Sequence, residues 1–406
     1  MTEPRVAIVH DWLVSMRGGE RVLESLCRLY PRAHVYTLRY DARNLSPEIT
    51  SHPVTASFVD PIARALPLGR AGFRLLLPLF PAAIESFRLD GYDLVISSSH
   101  AVAKGARPPA GALCVSYVHS PMRYVWEAEG EYRSHVPGGA LGRAAFALLA
   151  RRLRRWDHAV TGRAVALAAN SIYTQARIQR YYGRDSVVIE PPVDTRRFAR
   201  VPDPPNGHGG APTYLCVSAL VPYKRVELAV RAFAGRKARL VVVGDGAERQ
   251  RLAALAGPNV ELRGRVDDAE LDRLYAESRA VIHPALDDFG IVPVEALASG
   301  RPVIAFAGGG ALDVVRDGVT GALFDQATPE SLGGALDRLQ RMSFEPARLR
   351  AEARRFDRGE FERRFGAFVD SCVEARRRET RDPRPALAAV NGPPATDTAR
   401  LRPRER

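Results

Sequence analysis

Two carboxylates in the second half of the chain, Asp287 and Glu295, bracket a predicted turn and the helix that follows it. Between them stand an aromatic residue, a glycine and two β-branched residues, namely Phe289, Gly290, Ile291 and Val292. The first N–H groups of a helix have no partner within the helix, and they favour an anion. One carboxylate could bind sugar hydroxyls and the other ribose hydroxyls. Either acid alone is explained as a helix cap or a surface pair, but the ordered set favours a ligand site.

A glycine pair and a cation pair stand where other predicted strands lead into helices. Gly18 and Gly19 follow the first predicted strand, so their backbone N–H groups could approach a phosphate closely. Lys224 and Arg225 follow the first predicted strand of the second half, where cations could neutralise a departing diphosphate. A glycine triplet at 308–310 also permits close backbone approach. Each feature alone has an ordinary explanation as a turn, a loop or solvated charges.

Strands and helices that alternate along the chain must position these residues. In the first half, an amphipathic stretch predicts a helix at 20–30, and short β-branched runs predict strands at 6–9, 93–97, 113–118, 164–169 and 186–189. The same alternation in the second half predicts a helix at 225–233 and strands at 214–218, 240–243, 260–262, 280–282 and 302–305. Such alternation implies parallel sheets covered by helices on both faces. Sheets of this kind bind ligands at the carboxyl ends of their strands.

A stretch rich in proline and glycine separates the two halves and predicts a linker. The last residues are rich in arginine, proline, alanine and threonine without periodicity, which predicts a disordered tail. A closing helix is expected just before it, at 356–378. The fold class is therefore α/β, with two Rossmann-like, doubly wound parallel-sheet domains facing a central cleft. The expected division is an N-terminal domain at 1–200, a linker at 201–212, a C-terminal domain at 213–378 and a tail at 379–406.

The composition of the chain limits its class and its partners. With 406 residues, 46% of them hydrophobic and 26% charged, it should form globular domains rather than one ordinary core. Its four cysteines form no CxxC pair and no metal pattern, which predicts reduced thiols in a cytosolic protein. We expect no secretory signal and no membrane-spanning helix. The formal charge of +13 favours anionic partners, or else reflects an arginine-rich solvated surface.

Two basic amphipathic segments, 64–89 and 140–156, fall in the N-terminal half. The second places apolar side chains beside arginines, with Phe146, Leu148, Leu149, Leu153 and Trp156 near Arg143, Arg151, Arg152, Arg154 and Arg155. A basic amphipathic helix with an aromatic residue can lie in a lipid interface. Alternatively, each segment packs on the core of its own domain and leaves its arginines in water. The occurrence of both in one half favours an anionic membrane surface as a partner.

Together these motifs resemble those of retaining GT-B glycosyltransferases of family four, the large glycogen-synthase-like group. The resemblance covers roughly residues 6–368. Within it, three segments are similar to a mannosyltransferase-like subgroup that builds O-antigen and exopolysaccharide. They are HDWL at 10–13, GGE at 18–20 and HSPMRYVW at 119–126.

The resemblance implies a role for each matching residue. The implied catalytic residues are His119 near the transferred sugar, Asp287 on that sugar and Glu295 on the ribose. The implied donor-binding residues include Gly18 and Gly19 at the phosphates and Lys224 at the diphosphate. The remaining donor-binding candidates are Arg225, Phe289, Gly290, Ile291 and Val292, with Glu295 again.

The same resemblance implies the reaction and its partners. The N-terminal domain would bind the acceptor, which is lipid-linked or a saccharide, and the C-terminal domain would bind a nucleotide-sugar donor. GDP-mannose is the favoured donor, with a UDP-sugar as the alternative. No cofactor and no metal are implied, because cations and helix ends would neutralise the diphosphate. The reaction would retain the anomeric configuration, with the departing phosphate helping to deprotonate the acceptor. The expected location is cytoplasmic and peripheral, at the inner face of the cell membrane.

Two departures from the family pattern affect the site. Asp287 stands where the family usually has glutamate, so the carboxylate loses one methylene of reach. Ala219 stands where the family often has arginine, and Arg225 could supply that charge from a non-equivalent position. Two other functions stay open, a GT-B sugar-nucleotide epimerase and a basic nucleic-acid-binding protein. The chain carries no zinc-finger or RNA-recognition signature, so we expect no nucleic-acid partner.

Overall fold

The computed structural model describes residues 3–66, 73, 75–127, 139–203 and 211–381, and these residues form two parallel β-sheets covered by helices. The first sheet has seven strands in the order β3-β2-β1-β4-β5-β6-β7. In chain order they are β1 Val6–His10, β2 His34–Thr37, β3 Val54–Ala56, β4 Leu94–Ser99, β5 Leu113–Val118, β6 Ala166–Ala169 and β7 Val187–Val188.

The helices in this half of the chain carry several residues of interest. They are α1 Gly18–Leu29, α2 Pro47–Thr50, α3 Val59–Ala65, α4 Phe80–Glu85, α5 Arg123–Trp126, α6 Gly139–Val160, α7 Ile172–Tyr182 and α8 Thr195–Phe198. Local sequence explains the limits of α7. The Ser171 hydroxyl accepts a hydrogen bond from the Thr174 N–H, and Gly183 ends the helix in the left-handed conformation with φ of 63°.

The second sheet has six strands in the order β10-β9-β8-β11-β12-β13. They are β8 Thr213–Val217, β9 Arg239–Val243, β10 Val260–Gly264, β11 Ala280–His283, β12 Val303–Phe306 and β13 Gly321–Phe324. The helices in this half of the chain are α9 Val226–Ala232, α10 Arg249–Leu255, α11 Asp268–Glu277, α12 Ile291–Ala298, α13 Ala311–Val314, α14 Pro329–Gln340, α15 Pro346–Ala353 and α16 Arg358–Arg381.

Burial explains why the central strands read as continuous apolar runs. Every residue of β1, β4 and β5 is buried, because helices cover both faces of a parallel sheet. Ile8 pairs with Val35 on one side and with Ile96 on the other, at the centre of the first sheet. This register holds the carboxyl ends of β1 and β4 side by side.

The long C-terminal helix α16 packs against the first sheet, not the second. Phe361 and Phe365 contact Tyr117 of β5, with ring centroids 5.6 and 6.1 Å apart, and they join a core cluster that includes α1. Its apolar face therefore completes the N-terminal core. The sequence predicts a helix that closes the C-terminal domain at 378, whereas the structure carries it to Arg381 and across to the other sheet.

The fold class predicted from the sequence is confirmed, with two doubly wound parallel sheets. Several strands were not predicted, namely β2, β3 and β13, which are short and lack long β-branched runs. Residues 204–210 of the predicted linker, 67–72 and 74 of the first basic segment, and 382–406 of the predicted tail lie outside the described residues. The domain limits stay a prediction. In the described ranges, no helix has the length and apolar character needed to cross a bilayer.

Candidate active site in the cleft between the sheets

The strand order of each sheet reverses direction at one place, and candidate site residues follow the strands that meet at each reversal. In the first sheet the reversal falls between β1 and β4, and in the second it falls between β8 and β11. Connections diverge to opposite faces at such a switch point, which leaves a crevice at the carboxyl ends of the strands. His10 ends β1, Lys224 follows β8, and Asp287 follows β11, so topology alone brings the candidate residues to these crevices.

Lys224 and Asp287 form a close ion pair at the switch point of the second sheet. Lys224 Nζ donates to both carboxylate oxygens of Asp287, at 2.8 and 2.6 Å. His283 Nε2 lies 3.4 Å from one of the same oxygens. Burial alone would raise the pKa of Asp287, but the charges of Lys224, His283 and Arg123 and the hydrogen bond from Lys224 together outweigh it and lower the pKa. Burial lowers the pKa of His283 to about 4, so this imidazole is neutral at pH 7.

Glu295 lies on α12, apart from that pair and held by a tyrosine. The Tyr275 hydroxyl donates to Glu295 Oε2 at 3.0 Å. Burial raises the pKa of Glu295, whereas the charges of Arg197 and Arg21 partly oppose that effect. Arg21 belongs to α1 of the first sheet, so Glu295 lies within electrostatic reach of the opposite wall of the cleft. Its second oxygen is the natural acceptor for a ligand hydroxyl.

The N-termini of two helices from different sheets meet across the cleft. A Cβ added to Gly18 at the start of α1 would lie 2.8 Å from Ile291 Cδ1 at the start of α12. Gly290 precedes α12 with φ of 97°, a conformation that L side chains rarely adopt. The first N–H groups of both helices, which have no partner within their helix, therefore lie near each other, and the helix dipoles favour an anion there. The sequence predicted Gly18 as a phosphate contact and Gly290 as a donor-binding residue.

His119 lies beside the glycine turn in a cluster of imidazoles. A Cβ on Gly19 would lie 3.8 Å from His119 Nε2 and 3.5 Å from His10 Cε1. The Ser98 hydroxyl joins the two rings, at 3.0 Å from His10 Nδ1 and 2.8 Å from His119 Nε2. Burial lowers the pKa of His10 to about 3 and that of His119 well below its usual value. Both rings are therefore neutral at pH 7 and can donate or accept hydrogen bonds.

The glycine triplet at 308–310 packs against the backbone of the loop that carries Asp287. Gly310 N donates to Asp287 O at 2.9 Å, and a side chain at Gly310 would overlap the backbone of Asp288 and Phe289. Gly309 has φ of 65°, and a Cβ added to it would overlap the carbonyl oxygen of Asp287. Only glycine lets these two backbone segments approach so closely, so the triplet positions Asp287.

Three of the residues that the sequence predicts to bind the donor have side chains that do not join the Lys224–Asp287 pair. The Phe289 ring is buried in the core against Phe356, with centroids 5.5 Å apart, so only its backbone can reach a ligand. Val292 packs partly against the same core cluster. Arg225 adopts the left-handed conformation with φ of 53°, and its guanidinium lies over the Phe306 ring at 5.1 Å. It also lines a cavity of about 350 Å³ beside Glu248 and Arg251, away from the Lys224 pair.

Several residues of the cleft were missed by the sequence reasoning. Asp288 of the second sheet accepts from Arg123 at 3.1 Å and pairs with the buried Arg177, both of the first sheet. Ser171 Oγ donates to the Asp288 carbonyl at 2.5 Å. These bonds hold the two walls together next to Asp287. The histidine cluster could have been predicted from the sequence, because all of its members stand at the carboxyl ends of neighbouring parallel strands. They are His10, Ser98, His100 and His119.

Two models of known protein families match this chain. Residues 16–197 match the family model described as Glycosyltransferase Family 4, and residues 202–356 match the one described as Glycosyl transferases group 1. Within the described ranges, no three or more His, Cys, Asp or Glu side chains form a group that could hold a metal ion.

Curated relatives match over part of their length. A GDP-mannose-dependent alpha-(1-6)-phosphatidylinositol monomannoside mannosyltransferase of Mycolicibacterium smegmatis is 30% identical over 192 residues, 41% of this chain and 50% of that protein. A D-inositol 3-phosphate glycosyltransferase of Frankia alni is 32% identical over 192 residues, 41% of this chain and 47% of that protein. The matched region thus spans about half the length of these relatives.

Solved structures match over nearly the whole chain. Sucrose-phosphate synthase from Thermosynechococcus elongatus has a TM-score of 0.67 at 19% identity, covering 92% of this chain and 100% of that one. Anabaena HepE in complex with UDP and glucose has a TM-score of 0.62 at 19% identity, covering 91% and 100%. These likenesses show the GT-B fold. Two successive regions of a chain with the GT-B fold therefore match two glycosyltransferase family models, each over less than half of the chain.

Proposed function

We propose that this chain is a retaining, metal-independent hexosyltransferase that moves a hexose from a nucleotide-sugar donor to a lipid-linked or saccharide acceptor in cell-surface glycan synthesis. One observation carries the proposal. The start of α1 and the start of α12 face each other across the cleft, with Gly18 close to Ile291, and the Lys224–Asp287 pair follows the switch point of the second sheet. Helix dipoles and an ammonium suit a diphosphate, and carboxylates suit sugar hydroxyls.

Each residue then has a defined task. The N–H groups near Gly18, Gly19 and Gly290 bind the donor phosphates, and Lys224 neutralises the charge that develops on the diphosphate as it leaves. Such fixed positive charge does what a metal ion would do at a leaving group, and no metal is part of the proposal.

The remaining polar residues orient the donor. Glu295 accepts from the ribose hydroxyls, and Asp287 and His119 bind the hexose. Asp287 reaches less far than the glutamate usual in the family, but the glycine triplet behind it presses its loop towards the cleft. The donor base rests on the second sheet, near the left-handed Arg225 and its neighbours.

Mannose is the favoured sugar and GDP-mannose the favoured donor. The curated relatives include GDP-mannose-dependent mannosyltransferases, which supports this choice. The alternative donor is a UDP-sugar, which Anabaena HepE binds as UDP-glucose. The subgroup resemblance adds O-antigen and exopolysaccharide as the product class.

The acceptor half is proposed to work at the inner, cytoplasmic face of the cell membrane. Helix α6 presents Leu141 and Leu148, whose residues are 82% and 67% exposed, close to the exposed Arg151, Arg152 and Arg155. Exposed apolar and cationic side chains on one helix suit an anionic lipid surface. Trp156 does not belong to this surface, since its ring packs on Gly105 and its N–H donates to Glu85 at 2.8 Å.

The test is a thermal-shift screen of the whole chain against GDP-mannose, other GDP-sugars, UDP-sugars and ADP-sugars. A bound donor raises the apparent stability by about 2.7 kcal/mol at a hundred times its Kd. A shift with GDP-mannose, followed by transfer of the hexose in the presence of EDTA, is the expected result. Interconversion of intact sugar nucleotides would favour an epimerase instead. Loss of transfer on chelation would overturn the metal-free proposal.

The stereochemical claim has its own measurement. The anomeric configuration of the product, read by the one-bond carbon–hydrogen coupling in an NMR spectrum, should equal that of the donor. An inverted product would leave the transferase proposal intact but overturn the retaining mechanism.

A further inference from the structure

Arg123 brings a cation from the first-sheet wall of the cleft to the Lys224–Asp287 pair. It begins α5, and its Nη2 donates to Asp288 Oδ2 across the cleft at 3.1 Å. Asp288 adjoins Asp287 in the chain, so the guanidinium lies beside the acid that holds Lys224. Burial would raise the pKa of Asp287, whereas Lys224 and, more weakly, His283 and Arg123 lower it, so the charge of Arg123 acts on that carboxylate. The proposed function assigns Arg123 no contact with the donor.

The Tyr223 ring lies next to both cations. Arg123 Cζ is 5.1 Å from the centroid of this ring, and Lys224 Nζ is 5.5 Å from the same centroid. A cation is attracted to the π electrons of an aromatic ring, so this side chain holds the two charges near each other. Tyr223 is 41% exposed, which leaves the region between the cations open to the cleft. Two positive charges from opposite walls therefore converge at the switch point of the second sheet.

The Arg123 guanidinium has donors to spare for a ligand. Its Nη2 is bound to Asp288, whereas its Nη1 and Nε donate to no group among the residues that the structure describes. A guanidinium carries five N–H donors in a planar fork, and this fork matches the oxygens of a phosphate. The side chain keeps 24% exposure, so an anion in the cleft can reach it. Arg123 can therefore bind a phosphate while it stays in contact with Asp288.

Asp288 does not depend on Arg123 alone for its charge balance. The other oxygen of Asp288 pairs with Arg177, whose side chain is only 5% exposed. If Arg123 turns towards a ligand, Asp288 keeps this second ion pair. The large cost of breaking a buried pair arises when one charge is left without a partner, and that does not happen here. The structure thus permits Arg123 to move towards an anion at low cost.

Two other candidates for a second cation are placed less well. The guanidinium of Arg225 lies over the Phe306 ring, away from the Lys224 pair. Arg177 is buried and is held by both Glu127 and Asp288. Of the three arginines, Arg123 alone combines exposure to the cleft with a position next to the residues that bind the donor.

We propose that Arg123 binds the sugar-side phosphate of the donor and stabilises it as the leaving group. This inference rests on the proposed hexosyltransferase function. When the bond from the anomeric carbon to the diphosphate oxygen breaks, the electron pair stays on that oxygen. The Arg123 guanidinium and the Lys224 ammonium then stabilise this charge from opposite walls. The acceptor oxygen forms a bond to the anomeric carbon, and its proton passes to the departing phosphate.

This arrangement links closure of the cleft to the reaction. Arg123 belongs to the first-sheet wall and Lys224 to the second, so both cations contact one phosphate only when the walls are together. A donor that is bound to the second sheet alone has a less stabilised leaving group, because the Arg123 charge is missing. Such a donor therefore resists hydrolysis by water until the cleft closes.

The experiment compares Arg123→Gln and Asp288→Asn with the wild-type chain in the binding of GDP and GMP, measured by calorimetry. GDP is the leaving group of the favoured donor, and GMP lacks the sugar-side phosphate; UDP and UMP replace them if the chain binds uracil nucleotides. Arg123→Gln should weaken GDP binding by about 10- to 150-fold, the range for a hydrogen bond to a charged group. Its GMP affinity should stay within about threefold of wild type, which also shows that the fold is kept. Asp288→Asn keeps the guanidinium, so it should keep most of the preference for GDP.

Arg236→Gln is the matched control. Arg236 is 28% exposed, similar to Arg123, and pairs with Asp337 within the second half of the chain. Its substitution should leave the preference for GDP over GMP unchanged.

Two results would overturn the inference. An unchanged preference for GDP in Arg123→Gln would remove Arg123 from the phosphate site. An equal loss of that preference in Arg123→Gln and Asp288→Asn would mean that Arg123 acts only by holding the cleft closed. A wild-type chain that binds neither guanine nor uracil nucleotides would instead refute the proposed function.

Discussion

Lys224 and Asp287, which the sequence assigns to different parts of a donor, form a single charge pair. Both oxygens of Asp287 accept from the Lys224 ammonium, and His283 lies on the same side. Under the proposed function, a diphosphate would compete with Asp287 for Lys224. An ammonium that moved to the diphosphate would leave Asp287 without its main partner and make it a stronger acceptor for sugar hydroxyls. Binding of the two parts of a donor would then be coupled through this exchange.

Replacing Lys224 should destabilise the fold in a pH-dependent way. Lys224→Met leaves Asp287 without its cation, and removal of one partner from a largely buried pair costs roughly 2–4 kcal/mol. The folded pKa of Asp287 is lowered from 3.8, so its contribution is present above that value and is lost as the pH falls through the folded pKa. Chemical denaturation should show the largest difference from wild type near pH 7 and little difference in acid.

A surface pair provides the control for that measurement. Arg231 pairs with Glu227 on the exposed face of α9. Arg231→Met should cost less than about 1 kcal/mol at any pH, as exposed pairs do. Equal losses in the two variants would contradict the special status of the Lys224 pair.

Glu295 makes a separate contribution, which can be measured on donor affinity alone. Glu295→Gln keeps the shape of the side chain but removes the charge, so its hydrogen bonds to ribose should weaken by about 1.5–3 kcal/mol. The Kd for the nucleoside diphosphate, measured by calorimetry, should rise by roughly 10- to 150-fold. Glu277→Gln, at an exposed glutamate on α11, is the control. Unchanged affinity in Glu295→Gln would remove Glu295 from the site.

At the scale of elements, glycine positions decide how closely loops and helices approach the cleft. Gly310 lies against the backbone of the Asp288–Phe289 peptide, while Gly290 adopts a left-handed conformation directly before α12. The two glycines therefore place one loop, which carries Asp287, between the sheet and the opposite helix α1. The sequence treated the glycine triplet as either a close approach or an ordinary loop, and the structure favours the first.

A methyl group at Gly310 should displace that loop. Gly310→Ala would overlap backbone atoms that cannot move independently, so we expect a loss of about 1–3 kcal/mol and a large loss of donor affinity. Gly334→Ala is the control, since nothing lies within 4 Å of its added Cβ in helix α14, and alanine should stabilise by about 0.5–1 kcal/mol. Thermal unfolding and a donor titration measure both. Wild-type donor affinity in Gly310→Ala would contradict the supporting role of the triplet.

Helix α6 gives a second prediction at this scale. Arg151, Arg152 and Arg155 are exposed, whereas Arg154 donates to the Val125 carbonyl and helps hold α5. Replacing the three exposed arginines with glutamine should weaken binding to anionic vesicles, by about 1 kcal/mol for each arginine. Donor affinity should not change, because α6 lies outside the donor residues.

Co-sedimentation with anionic and neutral vesicles, at low and high salt, measures that binding. The wild-type chain should bind anionic vesicles and release them as salt rises. Replacing the same number of exposed arginines in the part of the chain around the second sheet, at Arg263, Arg273 and Arg341, should have no such effect. Equal and negligible binding of the wild-type chain to both vesicle types would point to an acceptor free in solution.

At the scale of the whole molecule, the cleft is held by contacts between its two walls. Asp288 binds Arg123 and Arg177 of the opposite wall, and Asp313 accepts from the Ile172 N–H at 2.8 Å. Asp288 adjoins Asp287, the residue proposed to bind the sugar. Contacts that hold the cleft closed and contacts that position the sugar-binding carboxylate therefore involve neighbouring residues.

Loss of the Asp288 charge should favour the open cleft. In Asp288→Asn the buried Arg177 loses one of its two acidic partners, and closure should weaken by about 1–3 kcal/mol. Small-angle scattering should report a larger radius of gyration, and the KM for the donor should rise while the fold is kept. Asp317→Asn is the control, because Asp317 pairs with Arg338 within the second sheet. An unchanged radius and KM would show that other contacts suffice.

The sequence predicted most of the fold and the acids of the candidate site, for a local reason. Strand–helix alternation, glycine before a helix and paired carboxylates are all patterns of neighbouring residues. The contacts of Arg123 with Asp288 and Tyr223 join residues that are far apart in the chain, and these partners depend on how the sheets are arranged. Likewise, the apolar face of α16 was assigned to the nearer domain, because its periodicity does not say which core it covers.

The path of α16 has a consequence for how the protein folds during synthesis. Phe361, Phe365 and Phe368 complete the core beneath β5 and α1, so the N-terminal sheet keeps an uncovered apolar face until residues 361–369 leave the ribosome. The second sheet has all of its strands before that point and can fold first as a unit. In the nascent chain, the N-terminal domain therefore completes its core after the C-terminal domain has folded, which is the reverse of the usual N-terminal-first order. The apolar face that waits for α16 is a site where a chaperone could bind.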